Sequence, residues 1–260
     1  MVRDIEKKLN NLREFIYNLK GAGVAFSGGT DSTLLLKVCL EVLGPDKVRA
    51  LTAISPLFPR KEQEKARHLS HLLQVKDHLF LEAPSLNTYP FKHNTPDRCY
   101  HCKGEIYDRF REELKDPGNF ILLEGTNRDD LEDYRPGLEA ARERKAFFPL
   151  VEAGMVKEEV REAARHLALP NWNKPAQACL ASRIPYGEEV TLNKLYQVEK
   201  GEEFLQEQGF VNCRLRHHGS LARLEIPREK QTALLERGEE IKTYIKKLGF
   251  EFVVLDLEGR

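Results

Sequence analysis

Two of the five cysteines, Cys99 and Cys102, stand three apart in "TPDRCYHCKGEIY", and a third, Cys179, lies in "NWNKPAQACLASRIPYGEEVT". Paired thiolates at that spacing suit three chemistries. With Cys179 and His101 or His93 they complete a zinc site; they ligate an iron–sulfur cluster; or they form a redox pair. An odd cysteine count argues against a disulfide framework. Cys39, in the apolar "LLLKVCLEV", and Cys213 read as packing.

A second chemical signal lies upstream, in "GVAFSGGTDSTLLLKV", where Ser27-Gly28-Gly29-Thr30-Asp31-Ser32 separates an apolar run from a leucine-rich one. This reads as strand, tight loop and helix. Gly28 and Gly29 permit positive φ and close backbone approach. Amides converging on a helix N-terminus form an anion site, and the Ser27 and Ser32 hydroxyls add donors. The loop therefore fits a phosphate or pyrophosphate; the plainer alternative is a glycine-rich turn with no ligand. It is neither a Walker A loop, which needs Lys-Ser/Thr after its glycines, nor the G-x-G-x-x-G of dinucleotide folds.

Other residues join these by position. Asp31 either caps the helix or helps place Mg²⁺. Thr52, Ala53 and Ser55 end the second strand and are candidate adenine contacts, while Gly125, Thr126 and Asn127 follow the fourth strand at the same sheet edge and face a nucleotide's ribose or phosphates. Asp129, Asp130 and Asp133 form an acidic cluster, read in part as a solvated helix start. Ser182 and Arg183 follow Cys179, and an arginine fork binds oxyanions bidentately. Arg214 and Arg216 alternate in "CRLRHH" and share one strand face, either as an anion site or as exposed surface. Neighbouring strand residues point apart, so His217 and His218 do not share a metal. Trp172 stacks on a ring or anchors packing.

The elements that must position these groups alternate. Helical spacing of Ile5, Leu9, Leu12, Ile16 and Leu19 predicts a first helix. Strands are expected at about 23–26, 48–55, in "DHLFLEA" and in "NFILLEG", with helices at about 31–43, from Pro59, after Cys102 into Leu114, and in "VKEEVREAARHLAL"; "FFPLVEAG" reads as extended. That order predicts an α/β fold, a doubly wound parallel sheet. From there a helix at about 191–208, an antiparallel hairpin around His218-Gly219-Ser220, a helix over 228–248 and a last strand make a smaller α+β module. The expected domains are 1–180 and 181–260.

Lys+Arg and Asp+Glu are equal at 41 each among 260 residues, so bulk charge carries no nucleic-acid footprint. No apolar run is long enough to span a membrane. The charged, helix-patterned N-terminus lacks a signal-peptide core. A cytoplasmic protein with no membrane and no nucleic-acid partner is expected.

Ser27 to Ser32 resembles the PP-loop of ATP pyrophosphatases, and with the two cysteine stretches, "EGTNRDDLEDYRPGLEAARE" and "RLRHHGSLARLEI" the chain resembles the LarE family along almost its whole length. The resemblance implies an adenine nucleotide alpha hydrolase-like fold in which the loop holds ATP's departing pyrophosphate. It implies a sulfurtransferase that adenylates a carboxylate of a pyridinium dicarboxylate mononucleotide and converts it to a thiocarboxylate. Cys179 matches the sulfur-donating position, with Arg183 and Glu202 carried over as catalytic partners and Ser182, Arg214 and Arg216 toward the substrate. Some members have that cysteine alone; those with three, like this chain, imply a [4Fe–4S] cluster on Cys99, Cys102 and Cys179. ATP, Mg²⁺, a small nucleotide substrate and a homo-oligomer are thus expected. The rival readings are a tRNA-thiolating enzyme, which the charge balance disfavours; an ammonia-dependent ligase, which leaves the cysteines without a role; and a nucleotide sensor with no turnover.

Overall fold

The computed structural model describes residues 2–115, 120–132 and 136–260. Asp133, and the first residue of "NFILLEG", lie outside the described residues. The helices, in chain order, are α1 (Val2–Tyr17), α2 (Thr30–Leu43), α3 (Arg60–Leu72), α4 (Tyr89–Lys92), α5 (Arg98–Glu113), α6 (Pro136–Glu143), α7 (Pro149–Glu152), α8 (Lys157–His166), α9 (Leu192–Glu207), α10 (Gln231–Glu236) and α11 (Gly238–Lys247). The strands are β1 (Ala22–Ala25), β2 (Val48–Ile54), β3 (Asp77–Glu82), β4 (Ile121–Glu124), β5 (Arg214–His218), β6 (Leu221–Glu225) and β7 (Phe252–Leu255).

The chain forms two compact units. One comprises Met1–Ser55, Arg60–Pro84 and Asp97–Gln177; the other comprises Pro56–Pro59, Ser85–Pro96 and Ala178–Arg260.

In the first unit the four strands run parallel in the order β3-β2-β1-β4. The chain winds outward from β1 through β2 to β3, then returns to the other side of β1 as β4. The strand order therefore reverses beside β1, and ligands of open α/β sheets bind at the carboxyl ends of strands at such a point. The loop after β1 and the turn after β4 both leave the sheet there. Helix α2 is buried on most sides: Leu34, Leu35, Leu36, Val38 and Cys39 are fully covered. The buried stripe Ile5, Leu9, Leu12 and Ile16 of α1 joins the same core, as do Val160, Ala163 and Ala164 of α8. A 3.6-residue period puts such positions on one helix face.

In the second unit β5 and β6 are an antiparallel hairpin turning at Gly219, and β7 adds to β6 in parallel.

Three expectations change. "FFPLVEAG" is not an extended segment: Phe147 makes one bridge to Leu123, and Pro149 opens the short helix α7, a position its fixed φ favours. The helix expected over 228–248 is a 3₁₀ turn (Arg228–Lys230) followed by α10 and α11, interrupted at Arg237 before Gly238. The C-x-x-C pair lies inside α5, which starts at Arg98.

Candidate functional site

The loop between β1 and α2 is shaped by its own hydroxyls. Gly28 sits at φ +68°, and a side chain there would also meet the Ala66 backbone of α3 at 3.1 Å. The Ser27 amide donates to Ser32 Oγ (3.3 Å), and the Ser32 and Thr33 hydroxyls donate to the Gly29 carbonyl (3.2 and 2.7 Å). These bonds turn the chain sharply into α2. Gly125 presses from β4: a Cβ there would lie 2.8 Å from the Ser32 nitrogen. The glycine at 125 thus permits close approach to the first turn of α2.

Asp31 does not cap α2; Gly29 is the N-cap and no side chain serves there. The Asp31 carboxylate instead pairs with Lys157 and accepts from Asn127 Nδ2 at 3.1 Å. Asn127 is buried and its Oδ1 accepts from the Asp129 and Asp130 amides (3.0 and 3.4 Å). Asp129 in turn accepts from the Lys157 amide at 2.9 Å, at the start of α8. Asp129 and Asp130 are thus turn and helix-end partners. Thr126 is buried beside them.

The strap 171–174 also reaches the loop. Lys174 Nζ and Asn171 Nδ2 both donate to the Gly28 carbonyl (2.9 and 3.1 Å), and Thr30 Oγ1 donates to the Asn171 carbonyl (2.9 Å). Lys174 pairs with Glu62 of α3 at 2.6 Å. Burial raises the Glu62 carboxyl, but Lys174 and Lys65 hold it below the usual range. Sequence reasoning passed over Lys157, Asn171 and Lys174; the only sequence sign of the last two is their place in the quoted "NWNKPAQACLASR". Trp172 is part exposed, with Arg165 over its ring at 5.8 Å.

At the end of β2, Ala53 is half-buried and Ser55 buried. The Thr52 hydroxyl is turned into the sheet: it donates to the Phe26 carbonyl (2.6 Å) and lies 2.8 Å from His78 Nε2. On the other side of the ring, His78 Nδ1 lies 2.7 Å from the Ser70 hydroxyl, which donates to the Arg67 carbonyl at 2.8 Å. Burial, with Arg67 and His71 adding, lowers the His78 pKa to about 4. An unfolded histidine takes its proton near pH 6.5. The unfolded chain therefore binds more protons between about pH 6.5 and 4, and stability falls as pH drops through that window while remaining unaffected above it. His78→Gln is expected to flatten this limb: the melting-temperature difference between pH 7.5 and pH 5 narrows relative to the parent, and an unchanged difference would exclude His78 as its source.

Cys99 and Cys102 lie one turn apart on α5, exposed and half-buried respectively, and neither is in a disulfide. Residues i and i+3 share a helix face. Cys179, in the second unit, is half-buried at the head of a 3₁₀ turn (Leu180–Arg183). Among the described residues, no three His, Cys, Asp or Glu side chains stand together as a metal-holding group. Cys39 and Cys213 are buried, and burial pushes the Cys213 thiol up to about 12, so neither is a reactive thiolate.

The second unit builds its polar centre around Cys179. The Cys179 carbonyl accepts from the Ser182 amide (3.1 Å), the Ser182 hydroxyl (2.8 Å) and Arg183 Nη1 (2.9 Å). Arg183 is fully buried, and its fork closes on Glu202 of α9: Nε to Oε1 at 2.9 Å and Nη2 to Oε2 at 3.0 Å. The fork of Arg183, expected at a substrate phosphate or carboxylate, is thus engaged by Glu202 and by the cysteine segment. Glu202 also accepts from the Leu215 amide (3.1 Å).

Arg214 and Arg216 do alternate on β5, with different surroundings. Arg216 is bidentate to Glu225 (2.7 and 2.9 Å) and donates to the Ser182 carbonyl (2.9 Å). Arg214 is buried, 3.9 Å from Glu202, whose carboxylate already serves Arg183. Burial, then the neighbouring Arg183, lowers its pKa to about 10. Two buried guanidiniums sharing one carboxylate leave a net positive charge, which favours an anionic ligand. His217 is buried against Gln197 (3.0 Å) and His218 is exposed.

No family model matches the chain. Curated proteins do. An uncharacterized protein of Synechocystis is 41% identical over 258 residues, covering 98% of this chain and 95% of that protein. A Lactiplantibacillus plantarum protein named pyridinium-3,5-bisthiocarboxylic acid mononucleotide synthase is 38% identical over 245 residues, 93% of this chain and 87% of its own length. A further 62 residues' match, 39% identical and covering 23% of the chain, is to an NH₃-dependent NAD⁺ synthetase of Thermotoga neapolitana.

Proposed function

Since the chain belongs to the LarE family of sulfur-transferring synthases, we propose that it uses ATP to insert sulfur into a carboxylate of a pyridinium dicarboxylate mononucleotide, in the biosynthesis of a nickel-pincer cofactor. One observation carries this reading: 38% identity to the named synthase over 93% of the chain, a span wide enough to take in both the loop and the cysteine segment.

In the first step a substrate carboxylate oxygen attacks the α-phosphorus of ATP. The bond to the bridging oxygen breaks, and pyrophosphate leaves with that electron pair. Backbone amides at the N-terminus of α2 are the donors where this charge develops. Asp31 would supply a carboxylate to a phosphate-borne Mg²⁺, which is commonly held by one or two carboxylates and substrate phosphates. In the second step a sulfur nucleophile attacks the acyl carbon and AMP departs.

Where Cys179 is the donor, its Sγ forms the new C–S bond. Loss of the Cys179 Cα proton then expels the thiocarboxylate from Cβ and leaves dehydroalanine. Arg183 and Ser182, by fixing the Cys179 carbonyl, orient that thiol. Arg214 is the residue with charge to spare for the substrate's phosphate or carboxylate. Cysteine thiolates are also the ligands of a [4Fe–4S] cluster, and Cys99, Cys102 and Cys179, none of them in a disulfide, are the residues that would hold one. Bound there, such a cluster would supply sulfide as the sulfur nucleophile in place of the Cys179 thiol.

Turnover with ATP and the dicarboxylate mononucleotide is expected to release AMP and pyrophosphate in step with thiocarboxylate. Intact mass then separates the sulfur sources, because sacrifice of Cys179 removes one H₂S from the chain and cluster delivery leaves the mass unchanged over many turnovers. ATP consumption that ignores the acid substrate would overturn the proposal.

A further inference from the structure

The loop Ser27 to Ser32 contains no lysine. Its amides and the α2 dipole offer partial charge only, about half an elementary charge at a helix N-terminus, whereas pyrophosphate carries several full negative charges. Two ammonium groups nonetheless reach the loop from 126 and 146 residues downstream: Lys157 on the Asp31 carboxylate, and Lys174 on the Gly28 carbonyl at 2.9 Å. Each is held by one carboxylate, Asp31 for Lys157 and Glu62 for Lys174. Each side chain keeps part of its surface open, 27% and 15%.

We propose that Lys157 and Lys174 are the phosphate-binding cations of this loop. A lysine ammonium binds phosphate as a point charge and needs no particular approach angle, so a small rotation suffices to turn Nζ from the loop's own oxygen to an oxygen of the bound anion. Asp31 and Glu62 hold the charge in place until the anion arrives. Asn171, donating to the Gly28 carbonyl and to Thr33 Oγ1 (2.9 Å), keeps the loop's shape once Lys174 has turned. The lysine that a Walker A loop carries in its own sequence is supplied here by two distant segments.

The inference rests on reading the loop as a pyrophosphate cradle. Inorganic pyrophosphate, titrated calorimetrically into the full chain at several salt concentrations, tests both. Lys157→Met and Lys174→Met keep the stems and remove the charges; each is expected to weaken pyrophosphate at least tenfold and to flatten the salt dependence. Lys157→Arg and Lys174→Arg are expected to restore most of the binding. Adenosine, which carries no phosphate, is expected to bind parent and variants equally. If the parent binds pyrophosphate and both methionine variants match it within twofold, the assignment of the lysines falls and the cradle stands. If adenosine is lost in parallel, the lysines are structural pins and the assignment again falls. If the parent itself does not bind pyrophosphate, the cradle fails and the inference with it.

Discussion

Cys179→Ala is expected to abolish thiocarboxylate formation, by at least about 10³-fold as for loss of a reaction's nucleophile, while acid-dependent pyrophosphate release continues. The structure explains why the two activities part. The polar bonds that fix residue 179 run to its carbonyl: from the Ser182 amide, the Ser182 hydroxyl and Arg183. Alanine retains that carbonyl, so the segment keeps its course and only the sulfur is lost. The loop proposed to activate the acid belongs to the other unit and keeps its own residues in this variant. Cys213→Ala, at a thiol that burial keeps protonated, serves as control and retains full activity. Product analysis and pyrophosphate release, run on the same preparations, check the pair. Sulfur insertion surviving in Cys179→Ala would remove this residue both as donor and as an essential ligand.

The largest effect on stability is expected at Glu202. Its carboxylate faces the fully buried Arg183, accepts from the Leu215 amide and lies beside buried Arg214. Glu202→Ala leaves two buried guanidiniums without their counter-charge. Breaking one side of a buried ion pair costs roughly 3–5 kcal/mol. For a chain of this size each kcal/mol shifts the melting temperature by roughly 2–4 °C, so a fall on the order of 10 °C is expected in thermal unfolding. Arg183→Lys is expected to fail as a rescue of function, because one ammonium cannot span both carboxylate oxygens and the Cys179 carbonyl. A Glu202→Ala melting temperature within about 2 °C of the parent, some 1 kcal/mol or less, would show that the pair adds little.

Much of the first unit was legible in the sequence because its signals are local. Ser27 to Ser32 announce a loop, and the buried strands and amphipathic helices keep their periods. What stayed hidden is set by partners distant in sequence. No spacing rule reveals that Arg183 would be taken by Glu202 19 residues on, so its fork read as free for substrate. Asp31 sat where a cap residue sits, yet its partner proved to be Lys157. Thr52 looked available at a strand end until His78 and the Phe26 carbonyl claimed its hydroxyl. Nor does the sequence show that the Ser32 backbone presses against position 125 and requires a glycine there.

The second compact unit is assembled from three stretches of chain, Pro56–Pro59, Ser85–Pro96 and Ala178–Arg260, threaded between segments of the first. Within it the Leu180 amide bonds the Leu57 carbonyl (2.8 Å), the Val190 amide bonds the Phe91 carbonyl (3.1 Å), and Asn94 holds the carbonyls of Ile184 and Pro185. No single crossover in a gene can therefore exchange the unit that bears Cys179 for another. A recombinant joined at residue 178 inherits loops at 57 and 91–94 that evolved against a different partner. Replacing this unit without breaking these bonds requires all three stretches to be exchanged together.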